Sequence, residues 1–331
     1  MPIEHTNKIM DILLTIAIPT YNRAEYLDEC LSSICRQATS NDPRLEVLIS
    51  NNNSNDSTDD VVAKYHSSLG ATLTYLKNDT NIGPDGNFLQ CFRKAKGKYF
   101  LILGDDDLLL DGAGDIILRF LENGNYGVVY LNSYGFIHDS QREKPDRGLS
   151  GSTIYDDIAK FVRKISYFVT FTSVNIVNRT MVNQERDWQP FLKSNLVQLG
   201  WVFDALFKAT QNAFIADYCI AARLYNSGGY RLSKVFGENF DQICRMFMAS
   251  GIEEQYFEII KNSLLTRHFP AQIIRQRNNM THLEQENYFH TFYRRYRRYP
   301  RFWLFTVPAI FLPRKVVYFF YTLVKWIKTN D

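Results

Sequence analysis

The sequence predicts a doubly wound α/β fold: a mostly parallel, Rossmann-like sheet followed by a helical C-terminal extension. Three observations carry this. Over the first 137 residues, apolar runs of strand length alternate with segments patterned at helical spacing. Three of those runs end in polar clusters, at Thr20–Arg23, Asn51–Asp56 and Asp105–Asp107; in such sheets ligands bind beyond the carboxyl ends of the strands. From about residue 236 to 295 the pattern is helical.

Leu13–Pro19 is an apolar run closed by proline and reads as a buried strand. Asn22, with Glu25 three residues on, has the form of a capping box. The helix it opens places Tyr26, Leu27, Cys30, Leu31 and Ile34 on one face. Leu45–Asn51 is a second strand, running into a polar turn over 52–58 and a helix from near Asp59. Thr72–Lys77 is a third. The loop Asn78–Asp85, punctuated by Gly83-Pro84, leads to a helix over about 86–96. Tyr99–Leu103 is a fourth strand and Gly127–Phe136 a fifth. Residues 138 to 160 are polar and read as loop, and 161–235 mix apolar segments with Gly228-Gly229. The expected division is a first domain over 1–235 and a helical, basic and aromatic extension over 236–331.

The chain has 331 residues, 45% apolar and 22% charged, which argues against a wholly disordered chain. Net charge is only +3, but residues 291–331 hold nine Lys/Arg and one acid, so the remainder is net acidic. A basic tail on an acidic body points to an anionic partner for the tail. The five cysteines, without a CxxC pair, argue against a disulfide framework or a cysteine zinc site and fit a reducing cytosol. No GxGxxG follows the first strand, which argues against a dinucleotide oxidoreductase. No secretory signal pattern is visible, and no run reaches the ~18 apolar residues of a membrane-spanning helix. Instead, Phe302–Leu312 and Val316–Ile327 are short aromatic, apolar stretches with basic flanks. That composition suits a segment lying in the interface of an anionic membrane; the alternative is a helical extension packed on protein. Gln242–Met246 reads as part of an amphipathic helix.

The sharpest feature is Asp105-Asp106-Asp107 at a strand end. Carboxylates repel a pyrophosphate unless a hard cation such as Mg²⁺ or Mn²⁺ lies between them. The plainer reading is a solvated acidic turn after a buried strand.

LLTIAIPTYNR, EVLISNNNSNDST, NIGPDGNF and AKGKYFLILGDDDLL occur in that order over about residues 11–137, and together they resemble glycosyltransferase family 2. NIGPDGNF followed by GDDDLL is similar to its abequosyltransferase-like branch, whose members add dideoxyhexoses in bacterial O-antigen assembly. The resemblance implies a GT-A fold and a metal-dependent transfer of one sugar from a nucleotide-diphospho-sugar (CDP-, UDP-, GDP- or dTDP-linked) to a polyprenyl-linked glycan acceptor. It implies a place on the cytoplasmic face of a bacterial inner membrane, with residues 291–331 meeting the anionic surface. Residue by residue, Pro19, Thr20, Tyr21 and Arg23 match the loop lining the nucleotide pocket. Asn51, with Asn53 nearby, matches the position that reads the base. An amide there, which donates as well as accepts, suits cytosine slightly better than a carboxylate would. Asn81, Gly83 and Asn87 match a loop closing over the nucleoside. Asp106 matches the metal-binding carboxylate, flanked by Asp107 as a second metal ligand and Asp105 on the donor; Gly104 stands where many members have Asp. Arg223 matches an arginine for the diphosphate. Asp204, in Trp201–Phe207, matches the second acid of the pair that supplies the general base in inverting members, with Phe203 in place of the first. A retaining transferase or a non-catalytic nucleotide-sugar-binding subunit are the alternatives.

Overall fold

A computed structural model describes residues 12–146, 149–226, 229–313 and 316. Gly228 and the basic residues Arg314, Lys315, Lys325 and Lys328 lie outside the described residues, as does the apolar stretch expected after Val316. Contacts divide the described chain into two compact units: the segment up to Phe161 with Val169–Arg223, and Val162–Phe168 with Leu224 onward.

The first unit is built on a sheet of nine strands among the described residues. Its first half is parallel, in the order β3-β2-β1-β4. β1 is Leu14–Thr20, β2 Leu45–Asn51, β3 Leu73–Lys77 and β4 Tyr99–Ile102. Leu14 pairs with Leu45 on one side and Tyr99 on the other. Every residue of β1 and β2 is buried, as expected of strands covered on both faces. The helices α1 (Ala24–Cys35), α2 (Thr58–Leu69) and α3 (Gly83–Lys94) connect them.

The second half is mixed. β5 (Leu108–Leu109), α4 (Ala113–Glu122), β6 (Val128–Phe136), β7 (Ser152–Tyr155), α5 (Ile158–Ile165), β8 (Asn175–Asn178), α6 (Gln198–Lys208) and β9 (Asn212–Arg223) follow in chain order. β8 runs antiparallel between β4 and β6, β9 runs parallel to β6, and β5 and β7 both pair antiparallel with β9. The stretch 138–160, expected as loop, therefore contributes β7 and the start of α5.

The capping box expected at Asn22 does not form. Asn22 takes φ 52° and its Oδ1 accepts from the Asn55 N–H at 2.9 Å. The Ala24 N–H, at the start of α1, is bonded to Asp56 Oδ2 at 2.9 Å. The cap thus comes from the loop after β2, which ties that loop to the end of β1.

The second unit is helical. A π-helical turn, Ser233–Asn239, runs into α7 (Phe240–Ala249). α8 (Glu254–Ser263) passes through a second, Leu264–His268, into α9 (Phe269–Arg277). α10 (Tyr288–Tyr296) is followed by a third, Phe302–Thr306, and α11 (Val307–Phe311). Phe240, Phe257, Phe269, Phe292 and Phe302 form its buried aromatic core. In the Gln242–Met246 stretch, Arg245 pairs with Asp241, which also takes Lys261 and Arg295. That stretch is accounted for by helix packing and ion pairing.

His268 lies against the rings of Phe236 and Tyr167, at centroid distances of 4.5 and 5.1 Å. Its Nε2 is sealed from solvent without a hydrogen-bond partner. Burial, with Arg275 adding to it, lowers its pKa to about 3 from 6.5. The folded ring stays neutral while the unfolded chain takes up a proton below pH 6.5, so stability falls with pH over the window from 6.5 to about 3. His268→Phe is expected to flatten the acid side of the stability profile, read as the melting temperature between pH 7 and pH 5. An unchanged slope would show that the ring does not titrate in this way.

Candidate active site

The three polar strand ends meet at one edge of the sheet. Asp105 is buried; its Oδ2 accepts from Thr20 Oγ1 and its Oδ1 from Arg23 Nη1, both at 2.8 Å. Arg23 Nη2 reaches Asp106 Oδ2 at 3.4 Å. The Asn52 N–H donates to Thr20 O at 2.9 Å, and the Asn22 N–H to Ser54 Oγ at 2.9 Å. The turn after β4, the end of β1 and the turn after β2 are thus one hydrogen-bonded unit. Burial drives the Asp105 carboxyl up to about 6, against the pull of Arg23.

The loop Asn78–Asp85 is fastened to the same edge through Asn52. The Asn52 amide donates to Asn81 Oδ1 at 2.8 Å, and its Oδ1 accepts from the Ile82 N–H at 3.0 Å. Gly83 takes φ 76°, and its N–H donates to Asn81 Oδ1. Asn87 is buried and exchanges hydrogen bonds with the side chain and carbonyl of Ser50. Asn51 is fully buried and occupied: Oδ1 accepts from the Ser54 N–H, and Nδ2 donates to Tyr75 Oη at 2.8 Å and Asp59 at 3.2 Å. Its amide shapes the loop in this conformation. Tyr21, Asn53 and Asn81 are the exposed members of the set, while Pro19 and Thr20 are buried in β1.

Arg223 ends β9 and is brought to the acidic turn. Its N–H donates to Asp107 Oδ1 at 2.9 Å, its Nε lies 3.4 Å from the Asp106 carbonyl, and its Nη2 pairs with Glu29. The Tyr26 ring has the guanidinium of Arg223 at 5.1 Å and that of Arg23 at 5.3 Å. Two cations and an aromatic ring therefore flank three carboxylates. Burial first, and the neighbouring Asp106 second, push the Asp107 carboxyl up to about 7. A hydrogen bond from Ser173 opposes this. Ser173 Oγ also accepts the Gly104 N–H at 2.9 Å.

Asp106 and Asp107 converge over Gly104. A Cβ at Gly104 would lie 3.0 Å from Asp106 Oδ1 and 3.2 Å from Asp107 Oδ2. Two hard oxygens facing one small space suit Mg²⁺ or Mn²⁺, which typically bind one or two protein carboxylates and complete their shell with water and substrate phosphate. Asp105 is already committed to Thr20 and Arg23. No cluster of three or more potential metal-ligating side chains occurs among the described residues.

Asp204 is not brought to this edge. It sits on α6 beside Asn183, whose N–H it accepts at 3.0 Å, and its carboxylate is gripped by Arg186 through both Nη2 and Nε. Asn183 closely follows Asn178, which pairs with Tyr99 at the start of β4. The acidic turn follows the other end of that strand, so the length of β4, about 3.3 Å per residue, lies between them. The amino end of α6 is the nearer part: the Asn195 N–H before it donates to Asp85 on α3 at 2.8 Å. The structure thus engages Asp204, expected as the general base, in an ion pair with Arg186.

Sequence reasoning missed Ser173, Asp85, Tyr26 and Glu29. Asp85 is buried, takes the backbone N–H groups of Asn195 and Val197, and lies within NIGPDGNF, beside residues that were singled out. Ser173 had no signal; a lone serine in a polar stretch is uninformative. If the Arg186 pair is structural, Asp204→Ala lowers unfolding stability by about 2–4 kcal/mol by removing a largely buried ion pair and the Asn183 N–H acceptor. Transfer per folded molecule stays within about threefold. A hundredfold loss of transfer at unchanged melting temperature would restore a catalytic role.

A model of glycosyl transferase family 2 matches residues 15–185, which spans the acidic turn and most of the first unit. An abequosyltransferase, RfbV, of Salmonella typhimurium is 38% identical over 112 residues, 34% of this chain and 33% of the relative. A Campylobacter jejuni protein named GalNAc(5)-diNAcBac-PP-undecaprenol β-1,3-glucosyltransferase is 31% identical over 119 residues, 36% of this chain and 37% of the relative. The matched segments thus span well under half the length of these relatives. Among solved structures, S. aureus TarS in complex with UDP-GlcNAc superposes with a TM-score of 0.60 at 20% identity, covering 78% of this chain and 72% of that one. That likeness fixes the fold as GT-A type, with a mixed sheet. The chain belongs to glycosyl transferase family 2.

Proposed function

We propose that this chain transfers a single sugar from a nucleotide-diphospho-sugar to a glycan acceptor in bacterial surface-polysaccharide assembly. The observation that carries the reading is the meeting of Arg23, Arg223 and the acidic turn at the carboxyl edge of the sheet. In the reaction, the acceptor oxygen forms a bond to the anomeric carbon and the bond to the diphosphate breaks. The electron pair leaves on the diphosphate, and the acceptor proton passes to base. What the edge must do is receive the negative charge developing on the leaving group.

Asp106 and Asp107 would hold a Mg²⁺ or Mn²⁺ ion there, which supplies Lewis-acid neutralisation of the departing diphosphate. Arg223 is placed to add a guanidinium on the same side, freed from Glu29 as a phosphate competes for it. Arg23 keeps Asp105 ionised and holds it out of the cation's way. Thr20, Tyr21, Asn53 and the Asn81–Asn87 loop form the nucleoside side of the site, with Asn51 shaping the loop beneath it.

The names of the relatives support the rest of the reading. RfbV is named for a deoxysugar transfer, and the C. jejuni relative for an undecaprenyl-diphosphate-linked acceptor. A lipid-linked acceptor fits the basic, aromatic residues 291–331, which would hold the enzyme peripherally on the cytoplasmic face of an anionic membrane. No helix among the described residues is long and apolar enough to cross one.

Asp106→Ala is expected to lower transfer by at least about a hundredfold, with the far-UV circular dichroism and melting temperature retained. Full activity in that variant would remove the metal assignment. A thermal-shift screen of CDP-, UDP-, GDP- and dTDP-sugars should show one donor raising the melting temperature only when Mn²⁺ is present. No stabilisation by any donor with Mn²⁺ would overturn the function itself.

A further inference from the structure

The second unit carries an apolar edge that its own packing leaves uncovered. Leu304 is 68% exposed, Phe311 60% and Trp303 44%. The rings form one patch, and Leu304 follows Trp303 in the chain: Phe289 has the Phe311 ring at 5.2 Å and the Trp303 ring at 6.4 Å, and Trp303 also faces Tyr293 at 6.0 Å. Phe289, Tyr293 and Arg297 are spaced four residues apart and so share one stripe of α10 and the turn that follows. Large apolar side chains collected on one exposed edge mark an interaction site.

The segment that carries this edge is cationic. Arg294, Arg297, Arg298 and Arg301 are exposed. Arg295, between them, pairs with Asp241, whereas these four make no ion pair with any described residue. Arg297 stands over the Tyr293 ring at 5.9 Å, and its carbonyl accepts the Trp303 indole N–H at 2.8 Å. The edge is also held firmly: Arg277 donates to the carbonyls of Ala309 at 2.6 Å and Leu312 at 2.9 Å, pinning α11 to α9.

We infer that this edge, within residues 289–311, is the membrane-docking element: Trp303, Leu304 and Phe311 enter the headgroup region of an anionic bilayer while the four arginines meet lipid phosphates. The inference rests on the membrane reading above and narrows it from the whole tail to a preformed edge. An indole, a phenyl ring and a leucine beside unpaired cations match an interface that is apolar below and anionic above. Four arginines that pair with no described residue argue against self-association, since two copies would bring like charges together.

The test is co-sedimentation of the full chain with vesicles of phosphatidylcholine containing about one-third phosphatidylglycerol, against pure phosphatidylcholine. The chain should bind the anionic vesicles and not the neutral ones. The combined variant Trp303→Ser, Leu304→Ser, Phe311→Ser should lower the partition coefficient about tenfold or more. Arg297→Glu with Arg301→Glu should do the same without touching the apolar groups. Retained far-UV circular dichroism shows that both variants fold. Wild-type binding by both variants would overturn the inference in favour of the residues after 316. A wild-type dimer, seen by light scattering and lost in the apolar variant, would overturn it in favour of a contact between copies. Mn²⁺-dependent donor hydrolysis in the same samples reports separately on the first unit. Its loss in the wild type would count against the transferase reading and leave the docking result standing.

Discussion

Three adjacent carboxylates after one strand, two of them buried, are the constraint around which the first unit is arranged. Such a cluster cannot be stable as three bare anions in a desolvated turn. The structure offsets it from three directions. Arg23 enters from the end of β1, the Arg223 N–H and side chain from the end of β9, and Ser173 from the loop before β8. None of these is a neighbour in sequence, so the acidic turn fixes where three separate segments must stop. β5 closes the arrangement: directly after the turn, Leu108 and Leu109 pair with Ala221 and Ile220, two to three residues before Arg223.

The two edges of the sheet carry charge for different purposes. At the amino edge, Glu46 is buried and takes hydrogen bonds from Thr15 Oγ1 at 2.7 Å, Thr74 Oγ1 at 3.0 Å and the Lys96 N–H at 2.9 Å. Asp204 is likewise enclosed by Arg186 and Asn183. Each of these acids takes several donors, the arrangement expected of buried charges. At the carboxyl edge the balance is incomplete. Asp107 remains raised to about 7 despite its donors, because it is buried and, second to that, because Asp106 stands beside it. Residual like-charge repulsion in a fixed geometry is what separates a site from a buried ion pair.

The parallel half of the fold was legible because its strands are buried on both faces, and their apolar runs need no partner to be recognised. β2 coincides with the expected Leu45–Asn51. The antiparallel half was not. β8 is four residues with asparagine at each end, β5 is two residues, and β7 is largely exposed. Each is a strand because of its neighbours. Asn22 shows the same limit at the scale of one residue: its spacing to Glu25 fits a capping box, yet Asp56 supplies the cap from another loop. Positions matched by motif survived better than positions matched by distance along the chain. Arg23 and the triplet sit in the motifs and meet as expected. Asp204 was reached by counting, and its ion pair with Arg186 had no signal in the sequence.

Gly104 is where departure from the family pattern and local geometry inform each other. An aspartate there would place a fourth carboxylate beside three. Its Cβ alone would be tighter than ordinary contact to Asp106 Oδ1 and Asp107 Oδ2. The glycine removes both the crowding and the extra charge, and the vacated volume is the one on which those two oxygens converge. The Ser173 hydroxyl lies 3.4 Å from the same point. The substitution is therefore coherent with a retained site.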